Sequence, residues 1–434
     1  MSITSSTSII WFTSNLRTID NYILKVACEK YDRVVGFYCF NQSDFKKNEF
    51  GFKKTEKFRA KFLIESVNNL SQNLKKLNIP LFVFYGDPAE KLPKFCKNNN
   101  ATALLFQNEF TEQETKLITK INSKLHNKIS IHSYFDQFLF HPHDLIFDLD
   151  KTPEVFSSYR KKVEKYVTVK KCSEIQPKNP SNWIPVTTKI PDLQTLGFTD
   201  FSVPTFTAFP FEGGQDAAMN RLQYYFFKSR KLGSYKETRN GLLGVNYSSK
   251  FSPWLGNGSI SAKTLYWEIK KYEKKFGKNQ STYWLIFELI WRDYFKCLAY
   301  KHRTNLFTLG GIKRKKYNWN TDEVSIQSWI NGHTLNDFVN ANMIELKTTG
   351  WMSNRGRQNV ASFFAKELLL DWRIGAAYFE SMLIDYDVHS NYGNWQYVAG
   401  VGNDPRDRKF DVAWQSEKYD ADRKFRNRWL QLSY

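Results

Sequence analysis

With 434 residues the chain is long enough for two domains and a sizeable core, and 63 Lys and Arg against 43 Asp and Glu give it a formal charge of +20. That excess makes a polyanion the expected large partner, nucleic acid ahead of membrane, with a generally basic solvated surface as the alternative. No run approaches a membrane span, and Cys28, Cys39, Cys96, Cys172 and Cys297 form no CxxC pair, so a spanning protein, a zinc module and a disulfide framework are not expected.

Met1 to Ser8 lacks a basic region before its apolar segment, so no targeting signal is read there, and a monomer in the reducing cytoplasm is expected. Ser8–Phe12, Arg33–Tyr38, Leu81–Tyr85, Ala103–Phe106 and Ile129–Ile131 then repeat a buried-strand pattern at α/β spacing. Between them Leu63, Val67, Leu70, Leu74 and Leu77 form an apolar helical stripe suited to packing on a sheet. Residues 1–138 are thus predicted as an α/β domain on a doubly wound parallel sheet. Prolines crowd the next stretch, Pro142 to Pro210, where no long amphipathic period survives, so residues 139–212 read as an extended linker. Residues 213–434 read as an all-helical domain, with Ser261 and Ser281 as N-caps and Gly277 as a stop. His141 and His143, around a proline, fit a polar turn better than a metal site, and no metal is expected. Lys313-Arg314-Lys315-Lys316 fits a solvated loop, with phosphate contact or a nuclear address as alternatives.

Three stretches of the helical half carry chemistry. Tyr247-Ser248-Ser249-Lys250-Phe251-Ser252-Pro253-Trp254 offers hydroxyls, backbone donors and an ammonium, the makings of a phosphate cradle or of a serine-rich cap. The apolar helix Thr282–Phe295 carries Glu288 and Arg292 at i,i+4 beside Trp291, either an intrahelical ion pair or a carboxyl raised by desolvation for hydrogen bonding to a base. The third runs from Trp351 to Arg406. Asn354, Arg357 and Gln358 are spaced to share a helical face, and an interior Arg needs partners that Asp385, Asp387 and Asn391 could supply. A planar heteroaromatic ligand with a phosphate tail would satisfy the same set, which suggests a buried cofactor. Trp319, Trp372 and Trp395 share no spacing and read first as core.

Trp351–Ser362, Asp385–Trp395, Gly402-Asn403-Asp404-Pro405-Arg406 and Tyr235–Gly241, with the opening Ile10-Trp11-Phe12, Asn15-Leu16-Arg17 and Asp20-Asn21, together resemble the photolyase and cryptochrome superfamily, in particular its cryptochrome-DASH branch. The resemblance implies a U-shaped FAD, with Tyr235, Ser248, Ser249, Lys250, Phe251 and Ser252 around its phosphates and ribityl chain. Arg292, Asn354 and Arg357 would lie along the flavin, Asp385 and Asp387 on its ring and adenosine side, and Asn391 at the reactive ring nitrogen. Trp395, Trp372 and Trp319 match, from flavin to surface, the family's electron-transfer triad. Glu288 and Trp291 match the substrate-facing acid and indole, and Arg239, Asn354 and Arg355 face the lesion or its backbone. Glu109 matches a position lining a 5,10-methenyltetrahydrofolate antenna. Tyr397 stands where double-strand photolyases have a second stacking Trp, and Gln358 where they have Met, both in the DASH pattern.

The expected activity is therefore blue-light-driven splitting of cyclobutane pyrimidine dimers, a lyase reaction, preferentially in single-stranded DNA, with RNA as a further partner and Glu288 and Asn391 as catalytic residues. The alternative is a photoreceptor without turnover that binds nucleic acid.

Overall fold

The structure, a computed structural model, describes residues 6–433, so the first five residues of the stretch read for a targeting signal lie outside it. Strands β1 (Thr7–Trp11), β2 (Arg33–Asn41), β3 (Leu81–Gly86), β4 (Ala103–Gln107) and β5 (Ser130–Tyr134) pair in the order β3-β2-β1-β4-β5, every pair parallel. Their apolar residues alternate between two cores. Ile10, Val34 and Leu105 pack with Ile23, Leu24, Val67, Leu70 and Leu74 of the helices Tyr22–Lys30 and Lys57–Lys76. Ile9, Val35 and Leu104 pack with Leu92, Phe95, Ile121 and Leu125 of Pro88–Asn98 and Glu112–Leu125 on the other face. Covering both faces is what lets a parallel sheet read as continuous apolar runs. Because β2 and β3 lie on one side of β1 while β4 and β5 lie on the other, a crevice opens beyond the carboxyl ends of β1 and β4, the usual place for a ligand.

The segment 139–212 is more ordered than an extended linker. It contains a helix, Phe156–Tyr166, whose Phe156, Tyr159 and Val163 are buried in the core of the helical domain. Three buried apolar residues among three Lys, one Arg and one Glu over eleven positions give a weak period, and packing rather than propensity forms this helix.

The remainder is helical, centred on Gln280–His302. Ser261 caps Ala262–Phe276, and Gly277, at φ +91, ends it as expected. The cap of the central helix is Asn279 rather than Ser281: the Asn279 side chain accepts from Thr282 N at 2.9 Å, and Thr282 Oγ1 accepts from Asn279 N. Ser281, two residues further on, instead accepts from Lys236 N at 2.9 Å and donates to Glu237 at 2.7 Å.

Buried polar contacts hold the two domains together. Arg17, after β1, pairs with Asp136 at 2.6 Å and donates to the Gly258 carbonyl at 3.2 Å. Asp293 of the central helix accepts from the Leu139 and Phe140 amides, both at 2.9 Å. Gly258 has φ +73, and a Cβ there would lie 2.0 Å from Ser14 O, so only glycine allows this approach. Among the described residues no helix is long and apolar enough to cross a membrane, and no group of three or more His, Cys, Asp or Glu could hold a metal ion. All five cysteines are free.

Candidate functional site

An inner cavity of about 260 Å³ lies within the helical domain. One wall is the loop Ser248 to Ser252, which a left-handed Lys250, at φ +67, turns back on itself. Buried Arg221 ties this loop down, donating to the carbonyls of Val245, Ser248 and Ser249 at 3.1 to 3.2 Å. Those carbonyls are thereby satisfied, while the Ser248, Ser249 and Ser252 residues line the cavity. A second wall is the central helix, with Glu288, Leu289 and Arg292. Asn354 and Arg357 form a third from the Asn354–Ser362 helix, and Asp385, Asp387 and Ser390 a fourth. Tyr235, Arg239 and Phe251 complete the polar and aromatic lining expected from sequence.

Charges around this cavity come in pairs. Arg357 donates to Asp385 Oδ2 at 2.9 Å, the partner its burial required. Asp387 pairs with Lys296 instead, at 3.0 Å, and Lys296 Nζ also lies 3.0 Å from His389 Nδ1. Burial pushes the Asp387 carboxyl up, but Lys296, the His389 hydrogen bond and Arg292 outweigh it and hold it well below the usual range. Glu288 and Arg292 do not pair within their helix. Glu288 is bridged to Arg239 at 3.0 Å, while Arg292 donates to the carbonyls of Gln137 at 2.6 Å and Leu255 at 3.2 Å. Burial raises the Glu288 carboxyl, against the pull of Arg239.

Two atoms in the wall residues are buried without a partner: Lys250 Nζ and Asp385 Oδ1. Lys250 sits over the Tyr247 and Trp351 rings, 3.2 and 4.5 Å from their centroids. Desolvation lowers its ammonium well below the usual range, and behind it Glu345, 1% exposed, is pushed up to about 8 by burial. An orphaned cation and carboxylate oxygen among serine hydroxyls and an Arg–Asp pair suit an anionic, hydroxyl-rich ligand with a planar hydrogen-bonding end.

The other expected site residues lie around this wall. Trp291 is stacked on Phe156 at 3.6 Å and meets Tyr397 edge-on at 6.1 Å. Gln358 does not share the cavity with Asn354 and Arg357. Its side chain accepts from Arg355 Nη1 at 2.9 Å, and Arg355 also reaches Asn240 at 3.1 Å and lies over Tyr419. On the helix it lies on the opposite side of Asn354 from Arg357, about 100° away from it, and the Arg355 fork holds it there. Asn391 is buried, its amide donating to Ala376 O at 3.0 Å. Trp395 packs on Gly375, where a Cβ would meet its ring at 2.2 Å, and Gly375 is one turn along the helix that Trp372 begins. Trp319 is half-buried, and its neighbour Asn320 bridges to Leu370 just before Trp372.

Lys296, Arg221 and Glu345 were not among the expected site residues. Lys296 continues the i,i+4 series Glu288, Arg292, a signal present in the sequence; Arg221 and Glu345 carry no such pattern.

A larger cleft, about 590 Å³, occupies the crevice beyond β1 and β4, where the two domains meet. Trp11, Phe12 and Glu109 line it on one side, and Lys296, Asp387 and His389 on the other. Glu109 accepts from Gln107 at 2.6 Å and is pushed up to about 8 by burial and by neighbouring Glu114. Lys46, Lys54, Arg59, Lys116 and Lys120 also line it. Asp387, Arg292 and Gly256 belong to both cavities, so one thin partition separates them.

Residues 8–180 match the DNA photolyase family model, and residues 284–432 match the FAD binding domain of DNA photolyase. Cryptochrome DASH of Synechocystis sp. is 40% identical, covering 98% of this chain and 87% of that protein. Cryptochrome DASH of Danio rerio is also 40% identical, covering 98% and 83%. A crystal structure of a Synechocystis cryptochrome superposes with a TM-score of 0.94 at 40% identity, covering 99% of this chain and 90% of the other. A class III photolyase from Agrobacterium tumefaciens, 24% identical, shares the fold with a TM-score of 0.83, covering 99% and 88%.

Proposed function

Because the chain belongs to the cryptochrome DASH family and has the FAD-binding photolyase fold, we propose that it is an FAD-dependent, blue-light-activated repair protein that splits cyclobutane pyrimidine dimers, preferentially in single-stranded DNA. One observation carries the reading: the cavity joins an orphaned Lys250 ammonium and an Arg357–Asp385 pair at its walls with a desolvated Glu288 carboxyl beside an indole. A cofactor and two joined bases of a damaged strand would need these two halves side by side.

FAD, when bound, supplies a one-electron donor on excitation of its reduced form. Ser248, Ser249, Ser252 and Lys250, backed by Tyr235 and Phe251, would hold its phosphates and ribityl chain. Arg292, Asn354 and Arg357 would lie along its flavin, and Asp385 and Asp387 would hold its ring and adenosine side. The Asn391 Nδ2 bond to Ala376 commits that nitrogen and leaves Oδ1 as the acceptor for a flavin ring N–H. Glu288, raised by burial, would hydrogen-bond the flipped-out bases and stabilise charge developing on them. Trp291 and Tyr397 would flank the dimer, while Arg239, Arg355 and Gln358 steady it and its backbone. Trp395, Trp372 and Trp319 would carry electrons inward to restore the reduced cofactor. The cleft at Glu109, with Trp11 and Phe12 for a ring and Lys46, Lys54, Lys116 and Lys120 among its lining for a carboxylate tail, suits a reduced folate as antenna. The partner is single-stranded nucleic acid, DNA first and RNA second, bound by a monomer in the cytoplasm, with the basic surface on phosphates.

Illumination of the purified, flavin-loaded protein with a dimer-containing oligonucleotide tests this reading. Light-dependent dimer loss supports it, and light-dependent flavin reduction without dimer loss favours a photoreceptor that binds nucleic acid.

A further inference from the structure

The middle indole, Trp372, has an aromatic neighbour from outside the triad. Tyr392, on the Val388–Ala399 helix, places its ring 6.2 Å from Trp372 at 79°. Its hydroxyl donates to Glu380 Oε2 at 3.2 Å. Proton acceptors decide where an oxidising equivalent can rest, because an oxidised ring that cannot lose its proton stays a reactive cation. Trp372 Nε1 donates to a backbone carbonyl, Leu309 O at 3.0 Å, which is no base, and the Trp319 and Trp395 ring nitrogens have no partner. Of these four rings only Tyr392 is hydrogen-bonded to a carboxylate.

We propose that Tyr392 is a redox-active branch off the tryptophan series, giving an electron to oxidised Trp372 and its phenolic proton to Glu380. This rests on the flavin reading above, in which Trp395 would pass one electron to a light-excited oxidised flavin and be refilled by Trp372, leaving the deficit there. In the branch step one electron passes from the phenol to the Trp372 radical cation. The Tyr392 O–H bond breaks, and the proton bonds to Glu380 Oε2. The products are closed-shell Trp372, a neutral Tyr392 phenoxyl radical and a neutral Glu380 acid. A one-electron reductant such as an added thiol restores the tyrosine.

The surroundings of both groups suit the transfer. Glu380 faces Arg59, Lys54 and Tyr386, and burial raises its carboxyl above the ordinary range, making it a better base. Tyr392 faces Glu49 and Arg373 besides Glu380. Glu380 also lines the interdomain cleft, which gives the proton a way out. Phe307 packs on the tyrosine at 4.8 Å and accepts no proton, and of the two carboxylates that face the ring Glu380 is the one its hydroxyl is hydrogen-bonded to.

Time-resolved absorption and electron paramagnetic resonance on the flavin-loaded protein, flashed without added reductant, test the branch. Wild type should form a phenoxyl radical after the indole signal, more slowly in D2O. Tyr392→Phe, which keeps the ring, should retain flavin and the indole signal but lose the phenoxyl signal. Glu380→Gln should slow phenoxyl formation by at least roughly tenfold, whereas Trp319→Phe should preserve it. A phenoxyl signal that is absent from wild type, survives Tyr392→Phe or vanishes in Trp319→Phe would overturn the proposal. Absence of any indole radical from flavin-loaded wild type would overturn the triad reading, and the branch with it.

Discussion

The inner cavity and the interdomain cleft share a partition, yet they are built differently. Every wall of the inner cavity comes from the helical domain, and around an unpartnered Lys250 its carboxylates are paired as Arg357–Asp385, Arg239–Glu288 and Lys296–Asp387. The cleft lies at a seam, takes its walls from both domains and gathers seven lysine and arginine side chains with six carboxylates, Glu109 among them. A ligand entering the first meets preorganised partners and sacrifices little ordering, whereas a ligand in the second depends on how two domains are held together. That difference suits the first to a tightly held ligand and the second to an exchangeable one.

Asp387→Arg should break both sides of this comparison at once. It would set a third cation beside Lys296 and Arg292 in a buried partition, so flavin occupancy, read from visible absorbance per protein, should fall by more than roughly tenfold. Retention of full flavin would mean that the partition bears no load. Trp395→Phe should act on the inner cavity alone, slowing photoreduction of oxidised flavin by roughly tenfold or more while occupancy of both cavities holds. Glu288→Gln should lower repair yield by roughly tenfold and dimer binding by less than about threefold, because the carboxyl's hydrogen bond strengthens as charge develops. An equal loss of binding and repair would make Glu288 a simple binding residue.

The smallest effect sets the two cavities side by side. Glu109 in the cleft and Glu345 behind the inner wall both titrate at about 8 in the fold, above the ordinary 4.5. Each therefore contributes stability that is fully present below about 4.5 and is lost as pH rises through about 8. Glu345→Gln and Glu109→Gln should each narrow the difference in Tm between pH 6 and pH 9 by roughly 2 to 4 °C. An unchanged difference in either variant would mean that its carboxyl is ionised in the fold at neutral pH.

The two cavities were also unequally legible in the sequence. Most inner residues fall in short runs, Ser248–Ser252, Asn354–Arg357 and Asp385–Asp387, where residue type alone announces buried polar chemistry. The required partner of Arg357 could be narrowed to a few acidic candidates, of which Asp385 is the one it meets. The pairing of Glu288 with Arg239 rather than Arg292 could not, because helical spacing favours the local partner and tertiary packing overrides it. The cleft draws on segments from Trp11 to His389, and no run of residues signals it; only the strand order does. The Phe156–Tyr166 helix was missed because its period is short and flanked by prolines, and Ser281 was misread as a cap because Asn279, two residues earlier, caps equally well.

The central claim is repair selective for single strands. Tyr397, edge-on to Trp291 at 6.1 Å, offers less stacking surface than an indole, while extracting a dimer from a duplex costs a few kcal/mol against roughly 1 to 3 kcal/mol per stacked base. The direct measurement is the initial rate of light-driven dimer loss from matched single-stranded and duplex oligonucleotides, at subsaturating reduced protein and across a salt series. The account predicts that the single strand is repaired at least roughly tenfold faster, with binding that weakens steeply as salt rises. Equal rates on the two substrates, or no light-dependent loss from either, would contradict it.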